Sequence, residues 1–473
     1  MKKPTSAKAR TGNPDRSPPI TRLRDWLDHM EARHRLAVAR PERDLRFEIA
    51  AIANRLDGHK ASYFPKPGGH PIPVVSGLTS DRSWMAEAMG VAPAELLARF
   101  QDAVEHPIPV AEHNTGPVQD VVHRDIDLTR LLPIPTHNEL DSGPYISAGL
   151  LITRDAATGR QNVAIHRLQV NSKNRLGALL LPRHTLALQQ AAERTGKDLP
   201  VAIVIGVDPL TLLASQAIVG FGDDELAIAG GLHRAALDVV KCLTNDIRVP
   251  ADAEIVIEGR LLANHREPEG PFGEFPQYYG ERAERHVIEI DAITHRQSPV
   301  FHTIVGGGLE HLLLGGIPRE ASMLVHLKRS FPGVLDVHLA KGGVCRYHLY
   351  VKMRPRARGE AKNVIMAAFA GHYDVKQVIV VDEDVDIHDA AQVEWAVATR
   401  FQADRDLVLV PGAQGSRLDP SADDGVSAKM GLDATVPIGM PEIRYKRISV
   451  PGEAEVDLSK VIDASAGGWR RAD

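Results

Sequence analysis

The residues best suited to chemistry lie in a short glycine- and proline-rich stretch, Glu267-Pro-Glu269-Gly-Pro-Phe-Gly-Glu274-Phe275. Two glycines and a proline between the carboxylates make a tight loop, not a helix or a strand. Such a loop can turn both Glu269 and Glu274 inward. Two carboxylates held close push their pKa values apart, which suits one as a proton donor and the other as its partner. The plainer alternative is a surface turn between strands, but the nearby Phe272, Phe275, Tyr278 and Tyr279 argue that the loop packs against something. Arg167, in the run Asn162-Val-Ala-Ile-His166-Arg167, wants a carboxylate partner if it is buried, because a lone buried cation is costly. The loop glutamates would serve, unless the arginine faces solvent. On one regular strand Asn162 and Arg167 point to opposite faces, so a shared site requires a bulge or a strand start near Asn162.

His184 stands at a strand-to-helix junction, and Glu225 opens a helix in Asp223-Asp224-Glu225. For Asp223 and Asp224 the plain reading is a helix cap or a partner for the helix dipole. Asn162, His184 and Glu225 together form an oxygen and nitrogen set that suits Mn2+ or Mg2+ better than zinc, though they are too scattered for a local metal motif. Asp382-Glu-Asp384-Val-Asp386 reads as a solvated acidic strand end. The glycine runs Gly306–Gly308 and Gly315-Gly316 lack the dinucleotide-binding spacing, and Gly412–Gly415 lacks the phosphate-loop lysine.

Positioning these residues falls to three stretches. From Ile20 to about Arg55 the apolar spacing is helical, a short strand follows at Ile72–Val75, and Trp84–Phe100 reads as another helix. From Tyr145 to Val305 strands dominate, at Ile146–Thr153, Asn162–Val170, Leu176–Leu181, Pro200–Gly206, Leu237–Lys241, Glu254–Leu262, His286–Thr294 and Val300–Val305. Short helices lie at Thr185–Arg194, Leu210–Gln216 and Asp224–Ala236. So many strands suggest a barrel or a strongly curved sheet. Beyond a cut near residues 320–335 the texture is α/β: a helix at Arg319–Phe331, strands at Val334–Leu339, Tyr347–Met353, Val378–Val381 and Leu407–Val410, and helices at Glu360–His372 and Asp389–Arg400. The last stretch shows little periodicity.

Composition narrows the function class. Among 473 residues, 56 Lys and Arg against 61 Asp and Glu leave a net charge of −5, too acidic for a general nucleic-acid binder. Two cysteines, Cys242 and Cys345, exclude a disulfide framework and a Cys-rich zinc or iron–sulfur site. The 21 histidines leave metal and acid/base chemistry open. No apolar run reaches the ~20 residues of a membrane helix. The basic N-terminus lacks a signal peptide's apolar segment, so residues 1–19 read as a disordered tail and the protein as cytoplasmic.

Together the segments LPIPTHNELDSGPY (132–145), NVAIHRLQV (162–170), LPVAIVIGVDP (199–209), DELAIAGGL (224–232), VVKCLTND (239–246), EGPFGEFPQYYG (269–280), VDEDVDI (381–387) and KMGLDAT (429–435) resemble the UbiD family of prenylated-FMN-dependent decarboxylases. The resemblance implies an α+β and α/β architecture. A split-barrel-like flavin-binding domain (131–318) would follow an N-terminal segment (20–130). A helix would join it to a C-terminal α/β oligomerisation domain and tail (319–473). It implies a divalent metal, Mn2+ or Mg2+, held by Asn162, His184 and Glu225 against the cofactor phosphate, with an accompanying K+. It places Ser215, Gln216 and Lys429 near the cofactor, Lys429 at its phosphate. Arg167, Glu269 and Glu274 match the family's acid/base network, with Glu274 as the proton donor once a covalent prenylated-FMN adduct has lost CO2. His311 and Arg319 have the spacing with which furan-dicarboxylate enzymes of the family contact a second carboxylate. Otherwise they are a loop cap and a partner for Glu320. The expected activity is reversible decarboxylation of an aromatic, heteroaromatic or α,β-unsaturated acid by a homodimer or larger homo-oligomer, supplied by a flavin prenyltransferase. The rivals are a non-catalytic relative serving assembly or cofactor storage, and a metal-dependent hydrolase using His184 and Glu225.

Overall fold

The computed structural model describes residues 17–462, so the tail expected over 1–19 lies outside it except for its last three residues. The N-terminal helical run is two helices, Leu23–Ala32 and Glu48–Leu56, separated by a short strand, Leu36–Val38. The helix expected over Trp84–Phe100 is likewise two, Arg82–Met89 and Leu96–Glu105. Gly90 ends the first in the left-handed conformation and Pro93 opens a 3-10 turn before the second, so two residues that stop helices outweighed a continuous apolar pattern.

The centre is a nine-stranded antiparallel sheet. Its strands run in the order Tyr145–Ile146, Leu168–Ser172, Arg175–Ala178, Ala283–His295, Ile255–Glu269, Leu199–Ile205, Leu150–Arg154 and Gln161–Ile165, with Val121–His123 also paired to Ala283–His295. Strand Leu199–Ile205 shows why the apolar runs are unbroken. Ile203 pairs with Leu151 on one side and Ile257 on the other. Val201, Ile203 and Ile205 pack into one core inside the sheet, while Ala202 and Val204 face a larger core shared with the helices. A strand buried on both faces has no polar side to show.

The chain leaves the edge strand Gln161–Ile165 and enters Leu168–Ser172, near the opposite end of the sheet, across His166 and Arg167 alone. At ~3.5 Å per extended residue, so short a link requires the two ends to lie together. The sheet is therefore curled without closing, and Arg167 sits at the seam. The single strand expected over Asn162–Val170 is thus two strands. The face rule that separated Asn162 from Arg167 does not reach across the break between them.

A 22-residue helix, Leu309–Ser330, leaves the glycine run Gly306–Gly308 and carries the chain into the C-terminal unit. The helix expected from Arg319 begins at Leu309 with Pro318 inside it, so a division between 318 and 319 cuts through one continuous element. The C-terminal sheet has the order Val334–Leu339, His348–Met353, Gln377–Asp382, Val426–Ala434, Leu407–Gln414. Helix Glu360–Gly371 packs with Val378 and Val380, and helix Ala390–Arg400 packs with Ile379 and Val381. Strand Val426–Ala434, paired on both sides in this sheet, falls in the stretch read as aperiodic. Lys429 is buried in it and breaks the apolar alternation that marks a strand.

Candidate active site

The curled sheet, the start of the long helix and the C-terminal unit enclose a cavity of about 870 Å3. Arg167 projects into it from the seam. Its Nη2 donates to Glu269 Oε2 at 2.8 Å and its Nη1 donates to Glu274 Oε1. Glu269 ends the long strand Ile255–Glu269, and Gly270, at φ +89°, begins the turn that brings Glu274 back alongside it. A side chain at Gly270 would also strike the Glu281 carbonyl at 2.8 Å. Glu269 is fully buried and Glu274 almost so. Burial pushes the Glu274 carboxyl above its usual range against the pull of Arg167, with the charge of Glu269 adding to the rise. The result is a guanidinium between two carboxylates, one of them inclined to keep a proton.

The oxygen and nitrogen set lines the same cavity. His184 opens helix His184–Glu193, and its Nδ1 lies 3.1 Å from Asn162 Oδ1. Glu225 opens helix Glu225–His233, which Asp224 caps. Its Oε2 accepts the Val163 backbone N–H at 3.1 Å, which fixes it beside Asn162. Burial pushes its carboxyl up to about 8, and the nearby Asp224 and Asp223 add to this. Among the described residues no three His, Cys, Asp or Glu side chains form a metal cluster, so the Asn162 amide is needed to complete the donor set. One imidazole, one amide oxygen and a buried carboxylate in want of positive charge fit a hard divalent cation. Ser215 and Gln216, just past helix Pro209–Ala214, also reach the cavity.

Lys429 does not line it. Its Nζ donates to the backbone carbonyls of Tyr373 at 2.7 Å and Val375 at 2.6 Å. The structure therefore places it behind the wall that carries Tyr373 and Asp374.

A second part of the lining is cationic. His311 and Arg319, two helical turns apart on the long helix, both line the cavity. Arg319 does not pair with Glu320, which instead binds Arg82 and His338. It donates to the Gly315 carbonyl and lies 3.8 Å from Asp374. Sequence reasoning missed Arg346, Arg183, Asp374 and His166, all on the cavity wall. Arg346 donates to the Leu312 and Cys345 carbonyls and stacks 5.2 Å from the Phe275 ring. Burial, reinforced by Arg319, lowers its guanidinium to about 9. It occupies the space a side chain at Gly315 would fill, since a Cβ there would stand 1.7 Å from Nη2. The signal was present: Arg346 is an arginine amid apolar residues at a strand start, the criterion that singled out Arg167. Burial and these two arginines hold the His311 imidazole down at about 3, so it faces the cavity uncharged.

Three family models match the chain, described as the 3-octaprenyl-4-hydroxybenzoate carboxy-lyase N-terminal domain over residues 27–104, the Rift-related domain over 110–309 and the C-terminal domain over 312–434. The UbiD-class enzyme HmfF from Pelotomaculum thermopropionicum, solved with FMN, is similar at 49% identity and a TM-score of 0.92, covering 93% of this chain and 100% of that one. An evolved dimeric form of HmfF, solved with prFMN, is 46% identical at a TM-score of 0.88, with 93% and 100% covered. Anhydromevalonate phosphate decarboxylase from Methanothermobacter thermautotrophicus is 40% identical over 379 residues, 80% of this chain and 88% of that protein.

Proposed function

The chain belongs to the UbiD family of carboxy-lyases, and on that premise we propose that it reversibly decarboxylates a heteroaromatic or aromatic acid carrying a second acidic group, using prenylated FMN and Mn2+ or Mg2+. The observation that carries this reading is the pairing of Arg167 with Glu269 and Glu274 at the seam, in a cavity that Arg319 and Arg346 also line. Loss of CO2 from such an acid leaves electrons on carbon with no place to go, and prenylated FMN, when bound, supplies the electron sink. Asn162, His184 and Glu225 would hold the metal, with K+ nearby, and Ser215 and Gln216 would border the cofactor.

The remaining work belongs to the side chains. Phe272 and Phe275 offer flat apolar faces to a ring. Arg319 and Arg346 would take the second acidic group, with His311 beside them as a neutral hydrogen-bonding partner. Glu274 delivers its proton from a carboxyl oxygen to the carbon that CO2 leaves, and is itself left as a carboxylate. Arg167 then holds both carboxylates, which keeps Glu274 in place until solvent returns the proton. In the reverse direction Glu274 takes the proton and CO2 adds to the same carbon.

A flavin prenyltransferase would supply the cofactor. Buried free Cys242 and Cys345 suit a reducing cytoplasm, and no described helix is long and apolar enough to cross a membrane. Exposed Leu409, Val426 and Met430 on the last two strands of the C-terminal sheet suit a homodimer face.

The test is to co-express the chain with a flavin prenyltransferase, record the visible spectrum and the mass of the released cofactor, and measure CO2 release from a panel of acids. Bound prenylated FMN and turnover fastest on heteroaromatic diacids are expected. A protein that cannot be loaded overturns the proposal and favours a role in assembly or storage. Turnover without flavin favours a hydrolase. Preference for a phosphorylated enoic acid would assign the arginines to a phosphate, as the name of the Methanothermobacter relative suggests.

A further inference from the structure

The segment Asp141-Ser-Gly-Pro-Tyr145 takes no part in the chemistry above, yet it holds the glutamate loop along its length. Asp141 Oδ1 accepts the Gly273 N–H at 2.8 Å, and its Oδ2 accepts the Asn138 N–H at 2.8 Å. The Ser142 hydroxyl donates to the Gly270 carbonyl, and the Ser142 N–H donates to the Pro271 carbonyl at 3.1 Å. The Tyr145 ring packs 4.4 Å from that of Phe272. Its hydroxyl lies 3.0 Å from Glu269 Oε1 and 2.8 Å from Gln169 Oε1. Tyr145 and Glu269 are both fully buried.

These contacts make the two glutamates unequal. Both oxygens of Glu269 face donors, Tyr145 on Oε1 and Arg167 on Oε2. Glu274 faces Arg167 through Oε1 alone among side chains. Gln169 presents its carbonyl, because the same Oε1 accepts the Gly270 N–H at 2.8 Å. The single phenolic proton therefore has two close acceptors, with the Pro271 carbonyl more distant at 3.5 Å, and of these the carboxylate is the strongest. The charged and titratable groups around Glu269 are Arg167, Glu274 and Tyr145, with Asp141 beyond them already committed to backbone N–H groups.

We infer that Tyr145 is a positioning residue that assigns the roles of the two glutamates: its O–H holds Glu269 as the ionised partner of Arg167 and leaves Glu274 to carry the proton. This deepens the decarboxylase reading and rests on it for its catalytic consequence. Its electrostatic consequence stands without it.

The test is Tyr145→Phe, which keeps the ring and removes the donor. In cofactor-free protein, pH-difference infrared spectra should show carboxyl protonation beginning at higher pH than in the wild type. With cofactor loaded, the visible spectrum should be unchanged and KM nearly so. The kcat should fall about tenfold, as for loss of a hydrogen bond to a charged group, and the acid limb of the kcat–pH profile should move up by about one unit. Incorporating 3-fluorotyrosine at position 145, a stronger donor of the same shape, should move the infrared titration the opposite way. An infrared titration unmoved by both changes overturns the inference. So does a loss of kcat with the acid limb in place, the signature of a residue that only fills space. If the infrared shifts occur but the loaded wild-type protein turns over no acid, the decarboxylase reading falls and the assignment of Tyr145 stands.

Discussion

The two walls of the cavity balance charge in opposite ways. At the seam, one guanidinium, Arg167, is set between two carboxylates. On the wall carried by the long helix and the C-terminal unit, Arg319 and Arg346 share one nearby carboxylate, Asp374, and that at 3.8 Å from Arg319. Arg183 reaches the rim of the same wall, where it donates to the Tyr373 hydroxyl at 2.8 Å. An excess of buried carboxylate favours holding a proton, because one of the two acids is cheaper neutral. An excess of buried cation favours an anion, because guanidinium groups held mainly by backbone carbonyls have lost water without gaining a full countercharge. In the function proposed above, one wall would move a proton and the other would hold a charged substrate.

The largest effect should come from the proton-moving wall. Glu274→Gln should keep the cofactor and its spectrum yet lower kcat by ~100-fold or more, the range of a positioned acid or base. Near-normal turnover would remove Glu274 from its role and collapse the contrast. On the other wall, Arg346→Ala should raise KM for a diacid by ~10- to 100-fold, as expected for a lost hydrogen bond between charged groups, with a much smaller effect on a monoacid. Equal effects on both substrates would show that Arg346 is not an anion anchor. Gly315→Ala asks the same question without removing charge. The new methyl group would displace the Arg346 guanidinium, so KM for the diacid should rise several-fold. Helix stability should hold or improve, since alanine is favoured over glycine by ~1 kcal/mol inside a helix. Unchanged KM would mean that the position of Arg346 is immaterial.

The smallest expected effect concerns Glu225, a carboxylate outside both walls that lacks a cationic neighbour among the described residues. Its folded pKa, about 8, lies above the ordinary value of 4.5. The unfolded chain therefore ionises first, and the stability tied to protonated Glu225 is full below about pH 4.5 and is lost as pH rises toward 8. A bound cation relieves that loss. Added Mn2+ should raise the Tm of cofactor-free protein by a few degrees more at pH 8 than at pH 5, and Glu225→Gln should remove the difference. A pH-independent Mn2+ effect, read by differential scanning calorimetry, would detach Glu225 from the metal.

The contrast between the walls was legible in part. The tight loop of Glu269 and Glu274 and the isolated Arg167 stand out by residue type, and their pairing is what burial of all three demands. Arg346 carries the same signal as Arg167, an arginine amid apolar residues, but neither it nor Asp374 has a neighbouring carboxylate loop to draw attention to it. They become part of a site only when the C-terminal sheet packs against the long helix. Lys429 was legible as a motif residue, but its place behind the wall depends on the pairing of strands Gln377–Asp382 and Val426–Ala434.

By itself the order of residues determined the element types wherever apolar periodicity was clean, the break into a strand-rich centre and an α/β end, and the family. These are local properties, set by side-chain spacing and turn chemistry within a few residues. Only the tertiary structure decided that Asn162 and Arg167 share a cavity. That outcome depends on the sheet curling until its two ends meet across His166 and Arg167, and curvature is a property of nine strands packing together, which no single strand's alternation records.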